Sequence, residues 1–386
     1  MSNFIPLSVP SLQGNELKYI KECIDTEWVS TAGKYVDLFE KKIREKTGSK
    51  FAVACVNGTS ALHVSLLLAG VVPGDEVIVP TLTFIAPVNA IAYCGGTPVF
   101  MDSDKFFNID VRKTIEFIKN NTNFKNGSTY NKETNSKISA IVPVHVWGNA
   151  IYLDELVLLC QERNISIVED ASESLGTIYS EGKYKGRYTG TIGKLGCISF
   201  NGNKIITTGG GGVILTDDAE LANKAHYLIT QAKDDPIRYV HDEIGYNYRL
   251  TNIQAALGVA QLEQLPGFLE KKKGIHKQYE RALGNIEGLQ IASVPSYADN
   301  NHWMNLLQID TKIFSEGRED LMHRLEKNNI QTRPVWALNH VQKPYRDCQS
   351  YKIEKAEKLI NCSLCLPSSV NLNDEDLNQV IKYLNA

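Results

Sequence analysis

Over roughly the first 215 residues of this 386-residue chain, short apolar runs alternate with segments of helical periodicity. The runs fall at 51–56, 76–80, 97–101, 139–143, 166–169, 197–200 and 212–215. Many are continuous and β-branched, without the polar alternation of a half-exposed strand, so they suit a sheet covered on both faces. Helical segments lie between them at 60–68, 85–93, 153–162 and 219–230. Such alternation predicts an α/β fold with a mainly parallel, seven-stranded sheet, because parallel neighbours need a crossover and a helix usually supplies it. This large domain is expected to span 1–250. From 251 the texture changes. A long helix over 251–273 should break near Pro266, whose ring removes a backbone donor. Short strands and two or three helices follow, the last near 374–384, so 251–386 reads as a smaller C-terminal α+β domain. The polar, Asn/Thr/Lys-rich stretch 120–136 reads as a surface insertion.

Composition narrows the partners. Lys and Arg total 41 against 44 Asp and Glu, a net charge of −3, which lacks the basic field of a nucleic-acid binder. No apolar run approaches the ~20 residues of a membrane span. The first ten residues carry no basic region followed by an apolar stretch, so a cytoplasmic location is expected. Most of the eight cysteines, Cys55 and Cys160 among them, have apolar neighbours and read as buried free thiols of a reducing compartment. Cys362 and Cys365 have the spacing of half a zinc site, but no second pair follows, so no metal is expected.

Four segments concentrate the chemistry. In the first, a strand ends at Asn57-Gly58-Thr59-Ser60 and a helix begins. Free amides and the helix dipole there suit a phosphate, although an ordinary cap by Thr59 or Ser60 is the reading this segment alone favours. In the second, the apolar run at 165–168 leads straight into Glu169, Asp170 and Glu173. Ligands bind at the carboxyl ends of parallel strands, so Asp170 is placed to face a cation or to cap a helix. In the third, a strand delivers Ser199, then a turn and Lys204, then the glycine run 209–212. A lysine at that edge can form a Schiff base if its amine loses its proton, or can simply be a solvated surface lysine. No Gly-Lys-Ser/Thr follows the glycines, so they do not form a Walker loop. In the fourth, Asn247-Tyr248-Arg249 leads into a helix for which Thr251 is a natural cap.

Together these segments resemble the aspartate-aminotransferase-like enzymes that use pyridoxal 5′-phosphate (PLP). More closely, they resemble the DegT/DnrJ/EryC1/StrS family of sugar-nucleotide aminotransferases. Gly33, Phe39 and Glu40, Gly74-Asp75-Glu76-Val77, Thr83-Phe84 and Val144-His145 follow the same pattern, so the resemblance covers nearly the whole chain. It implies that Lys204 binds PLP as a Schiff base and later shuttles the proton. It implies that Asp170 keeps the pyridine nitrogen protonated, which makes the ring an electron sink. Thr59, Ser60 and Ser199 match phosphate-binding positions, and Phe84 matches the ring that stacks on the cofactor. Asn247 matches a residue that reaches the phosphate of a neighbouring subunit, implying a homodimer with shared sites. Arg249 matches either a group that meets a substrate anion or a structural ion pair. Trp28 and His145 are the remaining substrate-side candidates.

Two departures stand out. Glu173 occupies a position where many relatives have glutamine beside the cofactor's phenolic oxygen; an ionised carboxylate there would repel the phenolate, so Glu173 should be protonated or turned away. Gly210 replaces the glutamate of the commoner Thr-Thr-Gly-Glu-Gly sequence. Family members that carry histidine at the lysine position are sugar dehydratases, so Lys204 points to transamination. The resemblance implies L-glutamate as donor and a keto-sugar nucleotide as acceptor. The segment Trp28 to Tyr35, the glycine run and the 120–136 stretch resemble the branch acting on UDP-linked 4-keto-6-deoxy-N-acetylhexosamine in legionaminic acid and bacillosamine pathways. Alternatives are 3- or 4-amination of a dTDP- or GDP-linked keto-deoxysugar. A PLP-binding regulator would need a DNA-binding extension, and no helix-turn-helix signal stands out. A Rossmann oxidoreductase would need Gly-x-Gly-x-x-Gly after the first strand, which Asn57-Gly58-Thr59-Ser60 does not supply.

Overall fold

The computed structural model describes residues 4–235 and 237–385. Seven strands form its main sheet: β1 (Phe51–Cys55), β2 (Glu76–Pro80), β3 (Thr97–Met101), β4 (Lys137–Ile141), β5 (Ser166–Asp170), β6 (Leu195–Ser199) and β7 (Gly212–Thr216). Their order is β1-β7-β6-β5-β4-β2-β3. Of the seven, β7 alone runs against its neighbours; the other pairings along the sheet are parallel. Every position of β2 and β7 is buried, as the unbroken apolar runs require.

Three short strands enlarge this sheet. Ser350–Tyr351 returns from the C-terminal region to lie parallel to β3. A hairpin of Thr122–Lys125 and Ser128–Asn131 pairs antiparallel with β4. The stretch expected to be a surface insertion is therefore partly sheet. Its inward positions are polar: Thr129 and Asn131 are buried, and Asn131 Nδ2 donates to Glu76 Oε2 at 2.7 Å. Satisfied polar residues inside four-residue strands leave no hydrophobic period to read.

The C-terminal region holds a four-stranded antiparallel sheet in the order Leu289–Ile291, Asn305–Ile309, Ser363–Leu366, Arg333–Pro334. The long helix is Asn252–Leu283, opened by a capping box between Thr251 and Gln254. It does not break at Pro266. Pro266 is on the exposed side of the helix, and the carbonyl it leaves without an amide partner belongs to Leu262, which is itself only partly buried. Leu265 and Phe268, flanking the proline, are buried in the main core and hold both halves in line. Further along, Ile275, Tyr279 and Leu283 enter a second core cluster beneath the small sheet, so one helix ties the two cores together.

This topology sets the site. Strands β1, β2, β4, β5 and β6 point the same way, so the residues at or just after their ends emerge along one edge: Asn57, Thr83 and Phe84, Val144, Asp170 and Ser199.

Candidate active site

A cavity of about 280 Å³ lies along that edge. Residues from the large sheet's loops line one side, among them Thr59, Phe84, Asp170, Glu173, Ser199 and Lys204; Trp303 and Trp336 close it from the C-terminal region. Lys204 is held in a tight turn by its own N–H, which donates to the Asn201 carbonyl at 3.0 Å. Its Nζ lies 3.3 Å from Glu173 Oε1 and 4.3 Å from the centre of the Trp303 ring.

Both cavity carboxyls are nearly inaccessible, Asp170 at 4% and Glu173 at 5% exposure. Burial pushes the Asp170 carboxyl above its ordinary range, against the pull of hydrogen bonds from Ser172 and the charge of Lys204. Asp170 caps no helix; Oδ1 accepts the Ser172 N–H at 3.0 Å within a turn. Burial likewise raises Glu173, the opposing pull of Lys204 and the Trp147 amide being smaller. Glu173 is thus biased toward its protonated form rather than turned away. Its Oε2 accepts the Trp147 N–H at 2.7 Å, which leaves Oε1 facing Lys204.

At the end of β1 the helix Gly58–Leu68 is capped by Asn57, whose side chain accepts the Ser60 N–H at 2.7 Å. Neither Thr59 nor Ser60 is the cap, so neither hydroxyl is used for capping. Thr59 lines the cavity, and Ser60 is buried behind it. Gly58 allows the close approach: a Cβ there would sit 2.8 Å from Ser199 Cβ and 3.1 Å from Ser199 Oγ. An aromatic ladder reaches the cavity, its last two members lining it. Phe107, Trp147, Trp336 and Phe84 follow one another at centroid separations of 5.0, 4.7 and 6.1 Å. Phe84, the cavity end of the ladder, is 53% exposed and free to cover a flat ring.

The other expected residues lie apart. His145 is fully buried one layer below; its Nε2 bonds Glu169 Oε2 at 2.9 Å and its Nδ1 accepts the Ile151 N–H at 3.2 Å. Burial would raise Glu169, but His145 and the amides of Gly193 and Gly190 outweigh it and hold that carboxyl below its usual range. Arg249 Nη1 pairs with Glu40 Oε1 at 2.6 Å. Arg249 and Asn247 line a different cavity with Thr31, His226, Thr230 and Lys233. Trp28 lines a third with Cys23, Lys34, Tyr35 and Asn252.

Sequence reasoning left Trp303 and Trp336 out of the site, and gave Asn57, Ser172 and Asn301 no role. The two tryptophans stand in loops of the C-terminal region, where no local motif marks them.

A helix start, a buried acid, an amine and an exposed aromatic face meeting in one cavity fit a phosphorylated, flat, cationic ring. The fold and site define a PLP-dependent aminotransferase. Residues 10–385 match the DegT/DnrJ/EryC1/StrS aminotransferase family, and the chain belongs to it. EpsN of Bacillus subtilis (strain 168), assigned as a pyridoxal phosphate-dependent aminotransferase, is 36% identical over 394 residues, covering 100% of this chain and 96% of EpsN. GDP-perosamine synthase of Caulobacter vibrioides is 37% identical over 383 residues, 98% of this chain and 97% of that protein. The crystal structure of DesI with its TDP-sugar product superimposes with a TM-score of 0.88 at 26% identity, over 100% of this chain and 93% of DesI.

The geometry at Gly58 yields a test. Gly58→Ala would force the helix start and Ser199 apart, since a Cβ contact of 2.8 Å is not tolerated. PLP affinity should fall at least tenfold by equilibrium dialysis while the fold persists by circular dichroism. Wild-type affinity would place the phosphate elsewhere.

Proposed function

We propose that the protein transfers the amino group of L-glutamate to the 4-keto carbon of a nucleotide-linked 4-keto-6-deoxyhexose. The observation that carries this reading is Lys204 beside Glu173 and Asp170 in one cavity at the sheet edge. When bound, PLP supplies an electron sink for charge at the carbon that loses or gains the amine. The chain's own residues do the rest. Asp170 presents a buried carboxylate to the ring nitrogen and gains a cationic partner that offsets its desolvation. Thr59 and Ser199 would hold the phosphate from the cavity wall, with Ser60 in the helix turn behind them, and Phe84 would cover the ring. Lys204 anchors the cofactor and moves the proton at the reacting carbon. Glu173, whose carboxyl burial pushes upward, would when protonated donate a hydrogen bond to the phenolic oxygen instead of repelling it.

Two observations favour different nucleotides. The Trp28 to Tyr35 segment and the glycine run support a UDP-linked 4-keto-6-deoxy-N-acetylhexosamine. The 37% identity to GDP-perosamine synthase, over nearly the full length, supports a GDP-linked sugar. The product in either case is a 4-amino sugar nucleotide for surface glycan or nonulosonic acid synthesis.

Borohydride reduction of the PLP enzyme followed by peptide mapping should place the cofactor on Lys204; any other lysine would overturn the assignment. The pyridoxamine form should then aminate a 4-keto-6-deoxy sugar at carbon 4, read by mass and NMR across UDP-, GDP- and dTDP-linked acceptors. A pocket built for an acetamido group should favour the UDP-linked N-acetyl sugar in kcat/KM by about ten- to a hundred-fold, since an unpaired polar group costs roughly 1–3 kcal/mol. Preference for a GDP-linked sugar would select the second reading, and amination only at carbon 3 would contradict the proposal.

The same reading includes a homodimer with shared sites. Asn247 does not line the Lys204 cavity of its own chain, and exposed Ile237, Tyr239 and Ile244 precede it. These exposed apolar side chains, set among Arg238, His241, Asp242 and Glu243, suit a second copy carrying Asn247 to its partner's phosphate site. Lys204→Ala and Asn247→Asp, each inactive alone, should regain part of the activity when their subunits exchange, because one site in the mixed dimer has both residues intact. No recovery despite demonstrated exchange would contradict a shared site.

A further inference from the structure

Lys272, in the second half of the helix Asn252–Leu283, is 2% exposed. Among the described residues no carboxylate pairs with it; its Nζ donates to the Trp303 carbonyl at 2.9 Å and to the Ser368 carbonyl. Burial pushes its amine down to about 7. Two acceptors match the two N–H donors of a neutral amine, so both bonds survive loss of the proton. An apolar side chain of similar volume would fill this space without burying a charge-bearing group. The lysine is therefore poorly suited to packing alone, and its two bonds fix the main chain at one particular place.

That place is the C-terminal region's contact with the reacting amine. The Trp303 ring lies 4.3 Å from Lys204 Nζ, and its Nε1 donates to the carbonyl of Asn203, the residue before Lys204, at 2.7 Å. Two residues earlier, Asn301 Nδ2 donates to the carbonyls of Glu173 and Leu175 at 2.9 and 3.0 Å, and Asn301 Oδ1 accepts the Trp303 N–H at 3.0 Å. Between them His302 has φ of +47° and stacks on His276 with ring centres 4.1 Å apart. His276 is one helical turn beyond Lys272, so the long helix grips segment 301–303 at two successive turns.

We propose that Lys272 is a positioning residue for the reacting amine: by holding the Trp303 carbonyl it sets the indole against which Lys204 Nζ rests. The proposal rests on the reading of Lys204 as the amine that binds PLP.

The test uses Lys272→Met and Lys272→Arg in the full-length enzyme. In the pyridoxamine phosphate form, where the Lys204 amine is free, a pulse of acetic anhydride followed by mass spectrometry reads the reactivity of Lys204. Lys272→Met should keep the circular dichroism spectrum and change Lys204 labelling several-fold. It should lower kcat by about ten- to a hundred-fold, the scale expected when a reacting group is displaced by about 1 Å, with KM for glutamate within about twofold. Lys272→Arg, which can donate to both carbonyls, should recover most of the loss. Labelling and kcat within about twofold of wild type in a folded Lys272→Met would overturn the proposal. Should Lys272→Met fail to fold, Trp303→Phe removes the bond to Asn203 directly, and unchanged Lys204 labelling there would overturn it equally. Borohydride mapping of PLP to another lysine would instead remove the underlying reading of Lys204, so the two failures are distinguishable.

Discussion

Two carboxyl groups almost out of reach of water share a cavity with one amine, and that imbalance of charge sets the demands on the rest of the site. Each acid alone is driven toward protonation by desolvation. Lys204 compensates one of them at 3.3 Å, and a cationic ring nitrogen can compensate the other. A site of this kind gains from its cofactor electrostatically, because the charge that makes PLP reactive also relieves the cost of burying Asp170. One layer down, Glu169 meets the same problem within the protein. His145 and the amides of Gly190, Ile192 and Gly193 satisfy it, so that carboxyl is partnered without a ligand.

The sheet makes such crowding possible. Parallel strands deliver their last residues to one edge, so five separate segments converge without long loops. Gly58 lets the helix start close on Ser199, and the antiparallel β7 brings Gly212 against the same turn, where a Cβ would meet the Asn57 carbonyl at 2.4 Å. The C-terminal region then covers the cavity with Trp303 and Trp336. Asn339 fixes the second of these approaches by donating to the carbonyls of Thr81 and Thr83, just before Phe84. Catalytic geometry therefore depends on contacts between regions distant in sequence, and the helix from Asn252 to Leu283 carries several of them.

Much of this was legible in the sequence because it is local. Buried parallel strands announce themselves as unbroken apolar runs, and all seven appear where those runs predicted them. Lys204, Asp170, Glu173, Ser199, Thr59 and Phe84 each follow a strand end closely, so family pattern and topology agree on one edge. What was not legible depends on tertiary contacts. The hairpin beside β4 buries polar residues and has no apolar period, and the helix runs through Pro266 because buried neighbours on both sides override a local breaker. Trp303 and Trp336 belong to loops whose position is fixed only by docking. Asn247, Arg249 and Trp28 were expected at the site but line other cavities of the chain, and no local pattern in the sequence says which cavity a side chain will line.

The central claim is that Asp170 supplies the charge that makes the cofactor an electron sink. Its most direct test is the single-turnover reaction of PLP-loaded enzyme with L-glutamate, followed by absorbance in stopped flow. Asp170→Asn keeps the side chain's shape and the turn with Ser172 but removes the negative charge. The account predicts that the variant binds PLP, keeps its fold and converts it to the pyridoxamine form slower by two or more orders of magnitude. A rate near that of the wild type would show that Asp170 only shapes the turn, and would contradict the account.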